Sequence, residues 1–265
     1  MTRLNDKIVW ITGASSGIGE QLALQAAQHG AKLVLSARRE PELARVRQAC
    51  PDPERVALLP LDLAQLADAE AAAKTAEGFF GAVDILVNNA GISQRTEMLD
   101  TPIKAYRQIM EVDFFAPIAL TKALVPGMLQ RGGGHVVVVS SVLGKAALKR
   151  RTGYAAAKHA LHGFYDCARI ELGDKGIQFT LVCPGFVNTN VSVNALTADG
   201  TPWGKKDKEI DAGMDPAVCA ARIWRAVEQD KLEVAVAGKE RIAMLIKRFL
   251  PLSLYTAFAR RLKVH

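Results

Sequence analysis

Seven short runs, at residues 7–12, 32–36, 56–59, 83–88, 136–140, 177–182 and 232–237, are rich in β-branched and aliphatic residues, and most carry no polar face. A strand that is apolar on both sides has to be covered on both sides, which is the signature of a parallel sheet between helical layers. Between the runs lie stretches of helical periodicity at 17–29, 40–50, 64–78, 103–129, 153–173 and 216–230, the first of them ended by Gly30. Repeated strand–helix units of this length predict an α/β, doubly wound Rossmann fold around a mostly parallel seven-stranded sheet with helices on both faces. The alternation lapses at 184–216, where Gly, Pro, Asp, Asn and Lys accumulate and mark a long functional loop. We expect a catalytic domain over 1–238 and a C-terminal extension over 239–265. A chain of 265 residues is ordinary for such a domain.

Composition excludes other classes. With 49% apolar and 23% charged residues and no low-complexity tract, the chain is not predominantly disordered. No charge-free apolar stretch approaches the roughly 20 residues a bilayer crossing needs, and no signal-peptide core follows the first methionine, so a cytoplasmic location is expected. Cys50, Cys167, Cys183 and Cys219 are widely spaced and are expected as free thiols. His159 and His162 lack a third ligand partner in the pattern, so no metal is expected. The net charge is +7, but residues 239–265 hold seven Lys/Arg against one acid, Glu240. A nearly neutral body with a basic terminus is not the spread positive surface of a nucleic-acid binder.

The first strand runs into Thr12-Gly13-Ala14-Ser15-Ser16-Gly17-Ile18-Gly19 and then into a helix. Glycines are required where backbone must turn tightly and approach a pyrophosphate, and the helix N-terminus directs free N–H groups at the anion. A turn wanting glycine for sterics alone is the competing reading. A P-loop is excluded because no Gly-Lys-Ser/Thr ends the motif. At the end of the second strand, where an acid would hold the ribose hydroxyl of NAD, stand Ser36-Ala37-Arg38-Arg39. Two guanidinium groups and no acid favour the 2′-phosphate of NADP(H).

Tyr154 and Lys158 are four apart in a helical pattern and share one face. A free phenol titrates near ~10, and a neighbouring cation favours its ionised form. Such a pair can exchange a proton with a carbonyl or alcohol oxygen during hydride transfer. Ser141, at the end of the fifth strand, is placed to hydrogen-bond the same oxygen.

In their order and spacing these motifs resemble the short-chain dehydrogenase/reductase family over about residues 5–240. The resemblance rests on Thr-Gly-x-x-x-Gly-x-Gly at 12–19, Asp62-Leu63, Asn88-Asn89-Ala90-Gly91, Ser141, Tyr154-x-x-x-Lys158 and Pro184-Gly185. It implies Tyr154 as catalytic acid/base, Ser141 orienting the substrate oxygen, and Lys158 holding the nicotinamide ribose. It also implies Asp62 at the adenine; Asn89, Ala90 and Gly91 along the cofactor; and Val187 and Thr189, after Pro184-Gly185, at the carboxamide. Ser15, Ile18 and Arg38 fall where NADP-preferring members contact phosphate. Homodimers or homotetramers are implied too. One position departs: where the family often has Asn, this chain has Asp113, which adds a carboxylate near Lys158.

The expected activity is therefore NADP(H)-dependent oxidoreduction of a carbonyl or alcohol on a small hydrophobic, lipid-like molecule. Segment 190–204 is similar to the lipid- and steroid-active, membrane-associated branch of the family. The rival, a non-catalytic dinucleotide sensor or scaffold, would be expected to have lost Tyr, Lys or Ser. Lys149-Arg150-Arg151 is read either as a solvated loop or as placing Arg151 to hold an anionic substrate. In the tail, Ile242, Leu245, Ile246 and Phe249 form one apolar stripe, and Tyr255, Phe258 and Leu262 another beyond Pro251. A basic amphipathic tail can lie on a membrane or dock onto the body or a second subunit.

Overall fold

The computed structural model describes residues 3–261, which leaves Leu262 of the second tail stripe outside the described residues. The first unit is β1 (Ile8–Thr12), α1 (Gly17–Gln28) and β2 (Lys32–Ser36), followed by α2 (Glu40–Gln48), β3 (Val56–Leu58) and α3 (Ala69–Phe80). Then come β4 (Ile85–Asn88), α4 (Ile103–Met110), α5 (Ala116–Gln130), β5 (Gly134–Val139), α6 (Thr152–Leu172) and β6 (Ile177–Pro184). The chain closes with α7 (Lys208–Asp211), α8 (Pro216–Glu228), β7 (Glu233–Val236), α9 (Arg241–Phe249) and α10 (Leu252–Arg261).

The seven strands are ordered β3-β2-β1-β4-β5-β6-β7, and every pairing is parallel. Alternate residues feed two cores. Val9, Ile11, Leu33 and Leu35 pack with Leu22, Ala26, Ile223 and Trp224 of α1 and α8. Trp10, Val34, Leu86, Val136 and Val138 pack with Leu120, Leu124, Leu161 and Tyr165 of α5 and α6. Both faces of the central strands are therefore dry, as their lack of a polar face predicts. Buried polar atoms in these layers are satisfied locally: the Trp10 indole donates to Ser36 Oγ at 2.8 Å, and Trp224 donates to the Leu22 carbonyl at 3.1 Å.

Local chemistry sets the helix ends. Asp68 accepts from the Ala71 N–H at 2.9 Å at the start of α3, and Gly81 takes φ +90° just beyond its end. Asp215 caps α8 directly before Pro216. The expected helix at 64–78 starts later, because Asp62 caps a separate short turn over Leu63–Gln65. The expected helix at 103–129 is broken by a π-turn over Glu111–Phe115. The run from Ile103 to Gln130 is long and apolar enough to cross a bilayer, but half of that apolar window is buried inside the fold. The order places β1 and β4 side by side, with connections leaving to opposite edges, so a crevice opens beyond their carboxyl ends.

His135 lies buried on β5, its Nε2 2.9 Å from Thr180 Oγ1. Burial pulls this imidazole from its ordinary 6.5 down to about 4. A depressed imidazole contributes stability that is complete above the unfolded value and is lost as pH falls through the folded one. Urea unfolding should therefore show stability falling by about 3 kcal/mol between pH 6.5 and 4, and His135→Gln should flatten that slope.

Candidate active site

The Thr12 side chain fixes the crevice floor. Its hydroxyl donates to the Val87 carbonyl at 3.3 Å and accepts from the N–H groups of Asn89 and Ala90, both at 3.1 Å. The Asn89 amide returns bonds to the carbonyls of Thr12 and Gly13 at 3.0 and 3.3 Å. The turn after β1 is thus tied to the turn after β4. Gly13 has φ +66°, and a Cβ there would lie 2.8 Å from Ala90 Cα, so the two backbones meet only because no side chain intervenes. Gly19 packs against the Gly13 carbonyl, where a Cβ would overlap it.

Above this floor is a cavity of about 800 Å³. One end is lined by Gly13, Ser15, Ser16, Gly17 and Ile18 from the first turn, by Arg38 and Arg39 after β2, and by Asp62 and Leu63 after β3. The middle is lined by Asn89, Ala90 and Gly91 and, from the turn after β6, by Pro184, Gly185, Val187 and Thr189. Ser141, Tyr154, Lys158 and Arg151 complete that wall. Every expected site residue except Gly19 faces this one space; Gly19 stands behind it as a spacer.

The residues present fit a dinucleotide. Ser16 precedes α1 in extended conformation and its side chain makes no capping bond, so the first-turn N–H groups remain available to an anion. Arg38 and Arg39 are exposed, and neither is ion-paired among the described residues. Arg45 on α2, which sequence reasoning missed, donates to the Ser15 carbonyl at 3.2 Å while its guanidinium grips Glu20 at 2.7 and 2.9 Å. Its spacing from the glycine turn gives no signal of that brace.

The polar centre is built from β5, α6 and the π-turn. Ser141 leaves β5 in extended conformation, and its Oγ accepts from the Leu143 N–H at 3.1 Å. The Lys158 ammonium sits 5.5 Å from the Tyr154 ring centre and donates to the Val139 carbonyl at 3.1 Å. Its second partner is Asp113 Oδ2 at 3.2 Å. The Asp113 carboxylate is fully buried, and its Oδ1 accepts from the Ile92 N–H at 2.7 Å. Burial pushes the Asp113 carboxyl up, against the pull of Lys158. For Lys158, burial alone lowers the ammonium, but Asp113 and then Tyr154 outweigh it and the net direction is upward.

Arg151 corrects one expectation. Its guanidinium is not free to receive an anionic substrate: it is buried, donates to Asp207 at 2.8 Å and to the carbonyls of Gln94 and Arg150 at 2.5 and 3.2 Å, and burial beside Arg95 pulls it down to about 10. Arg95 shares the same Asp207 oxygen at 2.7 Å. Asp207 belongs to the long loop after β6, so this cluster ties that loop to the start of α6. Arg150 next door is exposed and pairs with Glu97 at 3.0 Å. Gln94 also fixes α6, its Oε1 accepting from the Gly153 N–H at 2.6 Å and its amide donating to Thr101 and Thr152. Nothing in the local sequence around Gln94, Arg95 or Asp207 marks these long-range partners.

The tail closes the cavity from outside. Ile242, Ala243 and Phe258 face into it, and Tyr255 is buried, its hydroxyl accepting from the Ala147 N–H at 2.6 Å and donating to the Ala147 carbonyl at 3.2 Å. Lys247 lies 2.9 Å from His159 Nε2. A parallel sheet covered by helices on both faces, an uncapped helix behind a glycine turn and a Ser/Tyr/Lys centre define a Rossmann-type dinucleotide-dependent oxidoreductase.

Comparison with known proteins agrees. Residues 7–199 match the family model described as short chain dehydrogenase. The chain is 39% identical over 242 residues to Dehydrogenase/reductase SDR family member 7B of Danio rerio, covering 89% of this chain and 78% of that protein. It is 43% identical over 240 residues to the Dehydrogenase/reductase SDR family protein 7-like of Anopheles gambiae, covering 88% and 76%. A crystal structure of a short-chain dehydrogenase from Streptomyces avermitilis superposes with a TM-score of 0.82 at 29% identity, over 97% of this chain and 98% of that one. One from Burkholderia phymatum in complex with NAD shares the fold, with a TM-score of 0.79 at 24% identity over 89% and 90%. This chain belongs to the short-chain dehydrogenase family, and so to the nicotinamide-dependent oxidoreductases acting on small molecules.

The glycine packing gives a direct test. Gly19→Ala should weaken dinucleotide binding at least about tenfold in calorimetric titration, since the backbone atoms it would strike belong to the phosphate turn. Gly78→Ala, which meets open space inside α3, should leave binding intact and add about 1 kcal/mol of stability.

Proposed function

We propose that the protein is an NADP(H)-dependent reductase or dehydrogenase for a carbonyl or alcohol carried on a small hydrophobic molecule. The observation that carries this reading is the shared wall: Ser141 and Tyr154 face the cavity whose other end holds the glycine turn, with Lys158 behind the phenol. A bound nicotinamide supplies or accepts the hydride. The chain's part is to place the substrate oxygen between the Ser141 and Tyr154 hydroxyls, and to let Tyr154 give or take the proton there. Preference for NADP is supported by exposed Arg38 and Arg39 at the end of β2 with no acid beside them. A hydrophobic substrate is supported by Leu143, Ala146, Phe186, Val191, Ile242 and Phe258 on the remaining walls.

A panel of ketones and aldehydes, followed by loss of nicotinamide absorbance, tests this. NADPH should be consumed well ahead of NADH. Arg38→Ala should narrow that gap by about tenfold, the size of one charge-assisted contact. Tyr154→Phe should lose turnover by at least about a hundredfold while still binding the dinucleotide; full activity in that variant would overturn the reading.

A peripheral place at a membrane surface is favoured by one further observation. Leu245, Phe249, Leu252 and Leu254 are exposed on α9 and α10, although Tyr255 and Phe258 turn inward, and Arg241, Lys247, Arg248, Arg260 and Arg261 lie among them. Anionic vesicles should therefore co-sediment the protein, neutral vesicles should do so less, and Phe249→Glu with Leu252→Glu should abolish it. Absence of binding to either vesicle rejects the idea. For self-association, Ala156 and Gly163 on α6 are exposed and Ala160 is half-buried, whereas Ala155 is buried, which leaves a small-residue face for a second copy in a homodimer or homotetramer.

A further inference from the structure

The charge balance behind Tyr154 differs from that of a lone lysine. Lys158 is 4% exposed in its side chain and Asp113 is 0% exposed; their 3.2 Å contact is the only partner of Asp113 Oδ2 among the described residues. A buried carboxylate set against a buried ammonium leaves a pair with no net charge, and its influence on a neighbour falls to that of a dipole. The π-turn produces this arrangement: it sits between α4 and α5 and holds Asp113 against the loop after β4, where the Ile92 N–H and Gly91 receive it.

A second group of buried charges lies at the start of the same helix. Arg151, one helical turn before Tyr154, and Arg95 share a single carboxylate, Asp207, in a cluster of three side chains each no more than 7% exposed. Two cations on one anion carry a surplus of one charge. The charged groups around Tyr154 are thus Lys158 and Arg151 on its own helix, Asp113 on the π-turn, and Arg95 and Asp207 behind Arg151. Lys239 and Glu240 lie on the far wall of the same cavity.

We propose that Asp113 is a positioning residue that anchors the Lys158 ammonium and offsets part of its charge at the Tyr154 hydroxyl. This rests on the Tyr154 proton-transfer role proposed above, and it assigns the tuning of that role to a residue outside the Ser141, Tyr154, Lys158 set.

Asp113→Asn is the informative variant, because the amide keeps an oxygen for the Ile92 N–H and keeps the volume while removing the charge. Ionisation of Tyr154 is read as the ultraviolet difference spectrum between a protein and its Tyr154→Phe counterpart across pH. This measurement needs no turnover, so it remains valid if the proposed reaction fails. With Asp113→Asn the phenolate signal should appear about one pH unit lower, a tenfold change in proton concentration. The pH profile of kcat should move by the same amount with KM little changed. An unmoved midpoint would mean that Asp113 only caps the Ile92 N–H, and a midpoint moved upward would mean that Lys158 loses its proton without its partner; either result overturns the proposal. Should the variant not fold, the infrared spectrum of the native protein decides. A protonated buried carboxyl band at pH 7 that disappears at higher pH overturns the ion pair, and absence of such a band supports it.

Discussion

One hydroxyl, that of Thr12, holds the functional architecture together. It stands at the last residue of β1 and satisfies a carbonyl of β4 and two N–H groups just past its end. Leaving a buried backbone group unpaired costs on the order of 1–3 kcal/mol, but the half-buried Asn89 N–H also reaches the Val87 carbonyl at 3.1 Å, so the Thr12 hydroxyl is above all directional. It brings the glycine turn against Asn89-Ala90-Gly91. That loop leads straight to Ile92, the residue that grips Asp113. The glycine turn and the loop that buttresses Asp113 therefore leave adjacent strands of one rigid sheet.

The same sheet explains what sequence reasoning could reach. Runs such as Ile8–Thr12 and Ile85–Asn88 are dry on both faces, and their pattern announces a covered parallel sheet without any partner being known. Glycines at 13, 17 and 19 are likewise legible, because the conformations and close approaches they permit are a property of local backbone. Tyr154 and Lys158 are readable from their spacing on one helix. All of these signals are carried within a few residues.

What stayed hidden depends on distance along the chain. Arg151 looks from its neighbours like a solvent-facing cation, and only Asp207, 56 residues on, together with the distant Gln94 carbonyl, accounts for its burial. Gln94 fixes the start of α6 from 59 residues away. The π-turn at Glu111–Phe115 carries no breaker: its residues would suit an ordinary helix, and its bonds to the loop after β4 and to Lys158 arise only in the folded chain. The tail was open between a membrane and the protein body. Its stripes are apolar enough for either, and the Tyr255 bond to Ala147 shows that one of its faces is already committed inward.

That commitment separates two kinds of information in the chain. The glycine turn and the Ser141, Tyr154 and Lys158 side chains are carried by β1 to β6 and the segments between them, whereas part of the cavity's apolar wall comes from α9 and α10, attached through a few residues after β7. Exchanging Ile242, Ala243 or Phe258 would reshape the cavity while touching none of the hydrogen bonds described around Ser141 and Lys158. The outer rim is thus free to change shape without disturbing the floor that Thr12 sets.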